Sequence, residues 1–260
     1  MQMERLKGRR AIITGAGTGI GRASALRFAS EGAQVLVVGR REEKVAETVA
    51  MVRQAGGSAV AFAADASVEA NVEAMIARCI AEFGGLEVFF ANAATAFGGA
   101  LFKQTAEQWQ ETYRVNVTAA FLAAKHAGLH MRNHGGGSII ITSSVASLRG
   151  NGGDAAYSAS KAAVNSLAQT AACELAGTNV RVNAILPGLI ETDGMKDLFD
   201  AARERGASDK LGRLNPLRRV GQPEEIAAMA AFLASDDGSY VNGQAIAVDG
   251  GVSSSHPGKF

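Results

Sequence analysis

The chain has 260 residues, a formal net charge of +1, 47% hydrophobic residues and 20% charged ones, the profile of a globular protein rather than a disordered or fibrous one. With 26 Lys+Arg against 25 Asp+Glu, there is no net field to hold a nucleic-acid backbone or an anionic membrane, so a small molecule is the expected partner. Glycine is the outlier at 31 residues against 4 prolines, and without a triplet period this excludes collagen and reads as a set of local backbone requirements.

Short β-branched or apolar runs alternate with longer helical patterns along the chain. Arg10–Thr14 precedes Arg22–Glu31, Gln34–Gly39 precedes Glu42–Gly56, Ala59–Ala64 precedes Val68–Phe83, and Leu86–Ala91 precedes the long stretch Asn116–Arg132. The series continues through Ser138–Thr142, Ala155–Ala176, Val180–Leu186, Pro223–Ala234 and Ala245–Val248. This alternation predicts an α/β fold: one doubly wound, Rossmann-type parallel sheet of about seven strands with helices on both faces, in a single domain over residues 1–260. Ser138-Ile139-Ile140-Ile141-Thr142 is apolar without alternation, as expected of a strand buried on both faces. The rhythm breaks between Pro187 and Pro216, where an excursion at about 188–215 predicts one or two short helices in the position of a lid, or else a surface insertion.

The first strand runs directly into Thr14-Gly15-Ala16-Gly17-Thr18-Gly19-Ile20-Gly21, where a helix opens. Glycines there allow a tight turn, close approach of a pyrophosphate and close helix packing, while the helix N-terminus offers free N–H groups to phosphate. A glycine-rich turn without a ligand is the plainer alternative. At the end of the second strand, Gly39 stands where an acidic residue usually meets the adenosine ribose, and Arg40 and Arg41 follow. A guanidinium without that carboxylate suits a 2′-phosphate, which favours NADP(H) with NAD(H) possible; the plainer alternative is that both arginines are solvated charges opening the next helix. Asp65, followed by Ala66 after the third strand, either accepts a hydrogen bond from an adenine amino group or caps the next helix.

Tyr157 and Lys161 in Tyr157-Ser158-Ala159-Ser160-Lys161 share one helix face. A cation near a phenol favours the phenolate and is expected to lower its pKa toward the working range. Ser144 closes the apolar strand Ile139–Ser144, thirteen residues before Tyr157, where its hydroxyl is placed to hold a carbonyl oxygen that the tyrosine protonates.

From about Leu6 to Gly251 the chain resembles the short-chain dehydrogenase/reductase family. Thr14-Gly-x3-Gly-x-Gly21, Asn92 in Ala91-Asn92-Ala93-Ala94, Asn116 in Val115-Asn116-Val117, Ser144, Tyr157-x3-Lys161 and Pro187-Gly188 fall in the family's order. The resemblance implies Tyr157 as general acid/base, Ser144 as the residue orienting substrate, and Lys161 as the grip on the nicotinamide ribose that also depresses the tyrosine pKa. It further implies Asn116 as the holder of a water passing protons toward Lys161, and Thr192 as a contact for the nicotinamide carboxamide. Around the dinucleotide it implies Gly15, Thr18, Gly19, Ile20, Gly21, Asn92, Ala93, Pro187, Gly188 and Ile190. Two departures stand out. Ala91 and Ala94 replace an amide that braces the sheet and a glycine near the nicotinamide, predicting a narrower pocket; Thr18 is neutral where some NADPH-using members carry a base.

His126, His130 and His134 recur every four residues, but three in line along one helix cannot close round one ion, so no metal is expected and the histidines read as structural. In the resembled family that helix packs against a second subunit, implying a homodimer or homotetramer and, secondarily, a histidine cluster at the interface. Cys79 and Cys173 lack partners at ligand spacing and read as small buried hydrophobes. Met1–Lys7 has no apolar signal core and no stretch reaches span length, so a cytoplasmic protein off the membrane is expected.

The function expected is hydride transfer between NADP(H) and a small-molecule ketone or secondary alcohol. A 3-oxoacyl-(acyl-carrier-protein) reductase is the alternative within the same chemistry. Asn133-His134-Gly135 and Gly177-Thr178-Asn179 present no clear basic entrance for an acidic carrier, which tilts the reading to a free small molecule. A non-catalytic dinucleotide-binding redox sensor or scaffold is the alternative of another class. Val145, Ala146, Leu189, Ile190, Met195, Leu198 and Phe199 are the expected apolar pocket lining, with Leu198 and Phe199 equally open to core packing.

Overall fold

The computed structural model describes residues 4–213 and 215–255. Seven strands, β1 (Arg10–Thr14), β2 (Gln34–Gly39), β3 (Ser58–Ala63), β4 (Val88–Ala91), β5 (Gly137–Thr142), β6 (Val180–Pro187) and β7 (Ala245–Val248), form one sheet in the order β3-β2-β1-β4-β5-β6-β7. Every pair is parallel. The direction of winding reverses between β1 and β4, and in such a sheet the crevice outside the strands' carboxyl ends at that reversal is where ligands bind.

Both faces of the sheet are buried, with the period of two that a strand imposes. Ile12, Leu36, Phe89, Ile139 and Val182 pack on one side with α3 (Glu69–Phe83), α5 (Ala119–Arg132) and α6 (Ala155–Glu174). Their neighbours Ile13, Val35, Phe90, Ile140 and Ile185 pack on the other with α1 (Gly19–Ser30), α2 (Glu42–Gln54) and α9 (Pro223–Ala234). A continuous apolar run therefore feeds two cores at once, which is why the strands carry no polar alternation.

One helix departs from the sequence expectation: α4 (Ala106–Tyr113) intervenes between β4 and α5. Thr105 caps it, its side chain accepting from Gln108 N while the Gln108 side chain accepts from Thr105 N, a reciprocal box that fixes a short helix start. The junction with α5 is a π-turn, Arg114–Thr118. The excursion after β6 holds a 3-10 turn (Asp193–Met195) and two short helices, α7 (Lys196–Glu204) and α8 (Ser208–Gly212). Its base is pinned where Ile190 bridges Gly221, with Gly221 N donating to Leu189 O and Glu191 N donating to Gly221 O, both at 2.9 Å. No described helix is long and apolar enough to cross a membrane.

Asn133–Gly135 and Gly177–Asn179 join each other beyond the N-terminal ends of β5 and β6, where Asn179 Nδ2 donates to Gly135 O at 3.1 Å. That is the end of the sheet opposite the crevice. Their lack of basic residues therefore carries no information about a substrate entrance, and the choice between a free and a carrier-bound substrate does not rest on it. Of the tail Ser253–Phe260, Ser253–Ser255 lie in turns and residues 256–260 lie outside the described set.

Candidate functional site

A cleft of about 1350 Å³ opens at the carboxyl ends of the strands. Its floor at the β1 end is the glycine loop. Gly15 has φ +65, and a Cβ added there would come within 2.9 Å of Ala93 Cα, so only glycine lets the loop turn and lie on the strand β4 exit. Gly15, Thr18, Gly19 and Ile20 line the cleft, and Gly21 does not. Gly21 stands behind the loop, where an added Cβ would fall 2.2 Å from Gly15 O; it permits the helix to pack rather than touching a ligand. Thr192, from the segment after β6, overhangs this loop: a Cβ on Gly19 would meet its side chain at 3.2 Å.

Arg40 and Arg41 flank the cleft at the β2 end, with Lys44 one turn into α2. Arg40 and Arg41 form no salt bridge among the described residues, whereas Lys44 pairs with Glu47 at 2.8 Å. Asp65 and Ala66 close this end. The Asp65 carboxylate is engaged twice over, accepting from Ser67 N and Oγ at 2.9 and 2.6 Å and pairing with Arg114 at 3.0 Å. Burial works to raise its pKa, but the bonds from Ser67 and Arg114 outweigh it and hold the group below the usual carboxylate range. It braces the turn before α3, although Val68 is the residue at the cap position.

Asn92 ties three strands together. Its N–H donates to Thr14 Oγ1 at 3.0 Å, its Nδ2 to Thr14 O at 3.1 Å, and its Oδ1 accepts from Thr142 Oγ1 at 3.0 Å. Ala93 N adds a second donor to Thr14 Oγ1. The brace expected to be missing with an alanine at 91 is thus supplied by Asn92 with Thr14, the first residue of the glycine motif, and Thr142; the only local signal of this role is a hydroxyl at the carboxyl end of an otherwise apolar strand.

Tyr157, Lys161 and Ser144 meet at the centre of the cleft. Lys161 is 1% exposed, its Nζ donates to Thr142 O at 2.7 Å and lies 5.5 Å from the Tyr157 ring centre. Burial pulls the Lys161 pKa down to about 7. Burial also raises that of Tyr157, opposed by a hydrogen bond with Ser144 and helped by the nearby charge of Asp154. In this structure burial pushes both groups toward their neutral forms, and Ser144 is the group pulling the phenol the other way.

Asn116 does not line the cleft. It sits in the π-turn, 3% exposed, where Oδ1 accepts from Thr95 N at 2.8 Å and Nδ2 donates to Thr95 O and Ser160 Oγ, each at 2.9 Å. Both amide groups therefore have protein partners, and the side chain joins the loop after β4 to α6. Single π-turns of this kind recur at functional sites.

Pro187, Gly188, Leu189 and Ile190 form the wall leading to the excursion, from which Met195, Leu198 and Leu211 face the cleft. Phe199 turns away and is buried, which resolves the pair: Leu198 lines, Phe199 packs. Val145 and Ala146 line the other wall, and Arg149, Gly150, Asn151 and Asp154 form a polar rim. Among the described residues no group of histidine, cysteine and acidic side chains is arranged to hold a metal. His126 bonds Glu69 on α3 at 2.8 Å, while His130 and His134 stack with ring centres 4.1 Å apart.

Residues 15–253 match the family model described as Enoyl-(Acyl carrier protein) reductase. The chain is 37% identical over 248 residues to the 3-oxoacyl-(acyl-carrier-protein) reductase FabG of Thermotoga maritima, covering 95% of this chain and 99% of that one. It is 38% identical over 249 residues to 3beta-hydroxysteroid dehydrogenase 1 of Eggerthella lenta, covering 95% and 94%. Among solved structures, levodione reductase superposes with a TM-score of 0.91 at 34% identity, over 96% of this chain and 99% of that one. The chain belongs to the short-chain dehydrogenase/reductase family, enzymes that interconvert alcohols and ketones with NAD(P).

Proposed function

We propose that this enzyme moves a hydride between NADP(H) and the carbonyl or secondary alcohol carbon of a free small molecule, with Tyr157 as its acid and base. One observation carries the reading: Tyr157, Ser144 and a buried lysine on the tyrosine's own helix face share one cleft with a glycine loop shaped to admit phosphate. The dinucleotide fits this cleft, because Gly15 and Gly19 leave space that a Cβ would fill and the α1 N-terminus opens directly after them.

The nicotinamide supplies or accepts the hydride. The chain's own residues do the rest. In reduction Ser144 Oγ and Tyr157 Oη hold the substrate oxygen, and Tyr157 gives up its proton as charge develops there; in oxidation the Tyr157 phenolate takes the hydroxyl proton back while Ser144 keeps the oxygen in place. Lys161 Nζ holds the ribose hydroxyls, and a full positive charge on it favours the phenolate. Asn116 holds a water that passes protons toward Lys161. Thr192 meets the carboxamide, Asp65 the adenine, and Arg40, Arg41 and Lys44 the 2′-phosphate. We read the excursion over 188–215 as a lid closing on the substrate, the whole chain as one catalytic domain, and the protein as a cytoplasmic homodimer or homotetramer.

The carrier-bound alternative is kept alive by Arg149 on the cleft rim and by the likeness to the Thermotoga maritima reductase. A panel of levodione, a 3β-hydroxysteroid and a carrier-bound 3-oxoacyl thioester, each with NADPH or NADH and its oxidised partner, tests the reading. Turnover of a free ketone or alcohol with preference for NADP(H) is expected. Turnover of the carrier thioester alone favours the alternative, and binding of NADPH with silence across a broad panel favours a sensor or scaffold.

A further inference from the structure

Ser144 is carried by a segment tied to α6 on both sides of it. On one side Ser143 Oγ donates to the main-chain carbonyl of Lys161 at 2.9 Å. On the other, Ser147 Oγ donates to the carbonyl of Ser144 itself at 2.6 Å and accepts from Asn165 Nδ2 at 2.8 Å. Tyr157, Lys161 and Asn165 follow at intervals of four along α6, so they lie on one face, a turn apart.

The chain of bonds has a direction. A serine hydroxyl has one hydrogen, and that of Ser147 is committed to the Ser144 carbonyl. Its partner on α6 must therefore be a donor, which an amide is and a carboxylate is not. Turning Nδ2 toward Ser147 leaves Asn165 Oδ1 buried without a hydrogen-bond partner, an unfavourable state that a side chain present only to fill space would not incur. Among the described residues the short 3-10 turn Val145–Ser147 has otherwise only local bonds, Ser147 N to Ser144 O, Ala146 N to Ser144 Oγ, and Leu148 N and Arg149 N to Val145 O, which shape the turn without setting it against the helix.

We propose that Asn165 and Ser147 are positioning residues that fix the Ser144 peptide against the helix bearing Tyr157, and so hold the Ser144 hydroxyl in line with the phenol and the substrate oxygen. The proposal rests on the reading of Ser144 and Tyr157 given above. A misplacement well under an ångström at a residue that orients a reacting group is enough to slow a reaction without weakening binding elsewhere.

Asn165→Asp keeps the shape and removes the donor; Ser147→Ala removes the link itself and remains informative if the first variant does not fold. On whichever panel substrate the parent turns over fastest, each is expected to lower kcat about ten-fold, with the NADPH Kd from fluorescence titration unchanged. Since the Ser144 bond pulls the Tyr157 pKa down, its loss moves the limb of the pH profile governed by Tyr157 to higher pH. The double variant should be no slower than the slower single one, as for two links of one chain. A folded Ser147→Ala enzyme with parental kcat and an unmoved limb, or losses that multiply in the double variant, would overturn the proposal. Tyr157→Phe run alongside separates the two levels: parental turnover there sinks the catalytic reading, whereas loss of turnover there with parental rates in the other variants sinks only the positioning role.

Discussion

The Lys161 ammonium group lies 5.5 Å from the centre of the Tyr157 ring and is buried beneath it, donating to the Thr142 carbonyl. A cation placed there is costly before it is useful. Its pKa of about 7, pulled down by burial from 10.5, means that the unfolded chain binds the extra proton more readily than the folded one between those two values.

The consequence for stability has a definite sign. The penalty from Lys161 is fully present below about pH 7 and is relieved as pH rises toward 10.5. Lys161→Met is therefore expected to stabilise the fold at and below pH 7 by about 1–4 kcal/mol, the range seen when buried charge gives way to apolar side chains. The gain should shrink as pH climbs through the window. Urea unfolding of both proteins across pH 6 to 10 measures it, and a gap that widens with pH would contradict the account.

Two substitutions at the dinucleotide end should behave differently from each other. Arg40→Asp is expected to weaken NADPH relative to NADH by about 10–100-fold, the loss of a charge-assisted contact compounded by repulsion. Gly21→Ala should weaken both alike, because its Cβ would fall 2.2 Å from Gly15 O and displace the loop itself. Titration of each variant with both nucleotides reads the contrast. An Arg40→Asp enzyme with an unaltered NADPH to NADH ratio would remove the 2′-phosphate argument.

Neighbouring residues on α7 should separate binding from folding. Leu198→Ala is expected to raise substrate KM with little change in stability, since Leu198 is 42% exposed and faces the cleft. Phe199→Ala, at a position 6% exposed, should cost about 3–5 kcal/mol in unfolding free energy. Thermal melts and steady-state kinetics on the two variants check both halves, and the reverse pattern would mean that the helix faces have been misassigned.

The parts of the molecule legible in sequence are those governed by local periodicity. β1, β2, β7 and α9 begin and end where their apolar patterns do, and the chemistry-bearing motifs at strand ends fall into one cleft. What escaped reading depends on contacts between segments distant in sequence. The α4 helix carries its start signal in Thr105 and Gln108, but it is short, and its pattern merges with that of the next helix. The π-turn around Asn116 has no periodic signature at all. Asp65 could be read as ligand or cap, and only the approach of Arg114 from another segment shows how it is held. His126 follows the spacing of a helix face, yet its partner Glu69 is on α3. Sequence spacing reveals the lysine next to Tyr157 and conceals the burial that acts on both groups.

The most direct measurement is Tyr157→Phe, with nucleotide affinity and turnover determined on the same preparation. Removing one hydroxyl leaves the ring, the packing of α6 and the glycine loop in place. The account predicts NADPH binding within about two-fold of the parent and a fall in kcat of about 10²–10⁴-fold, the usual contribution of a positioned acid. A variant that binds nucleotide and still turns over at the parental rate would contradict it.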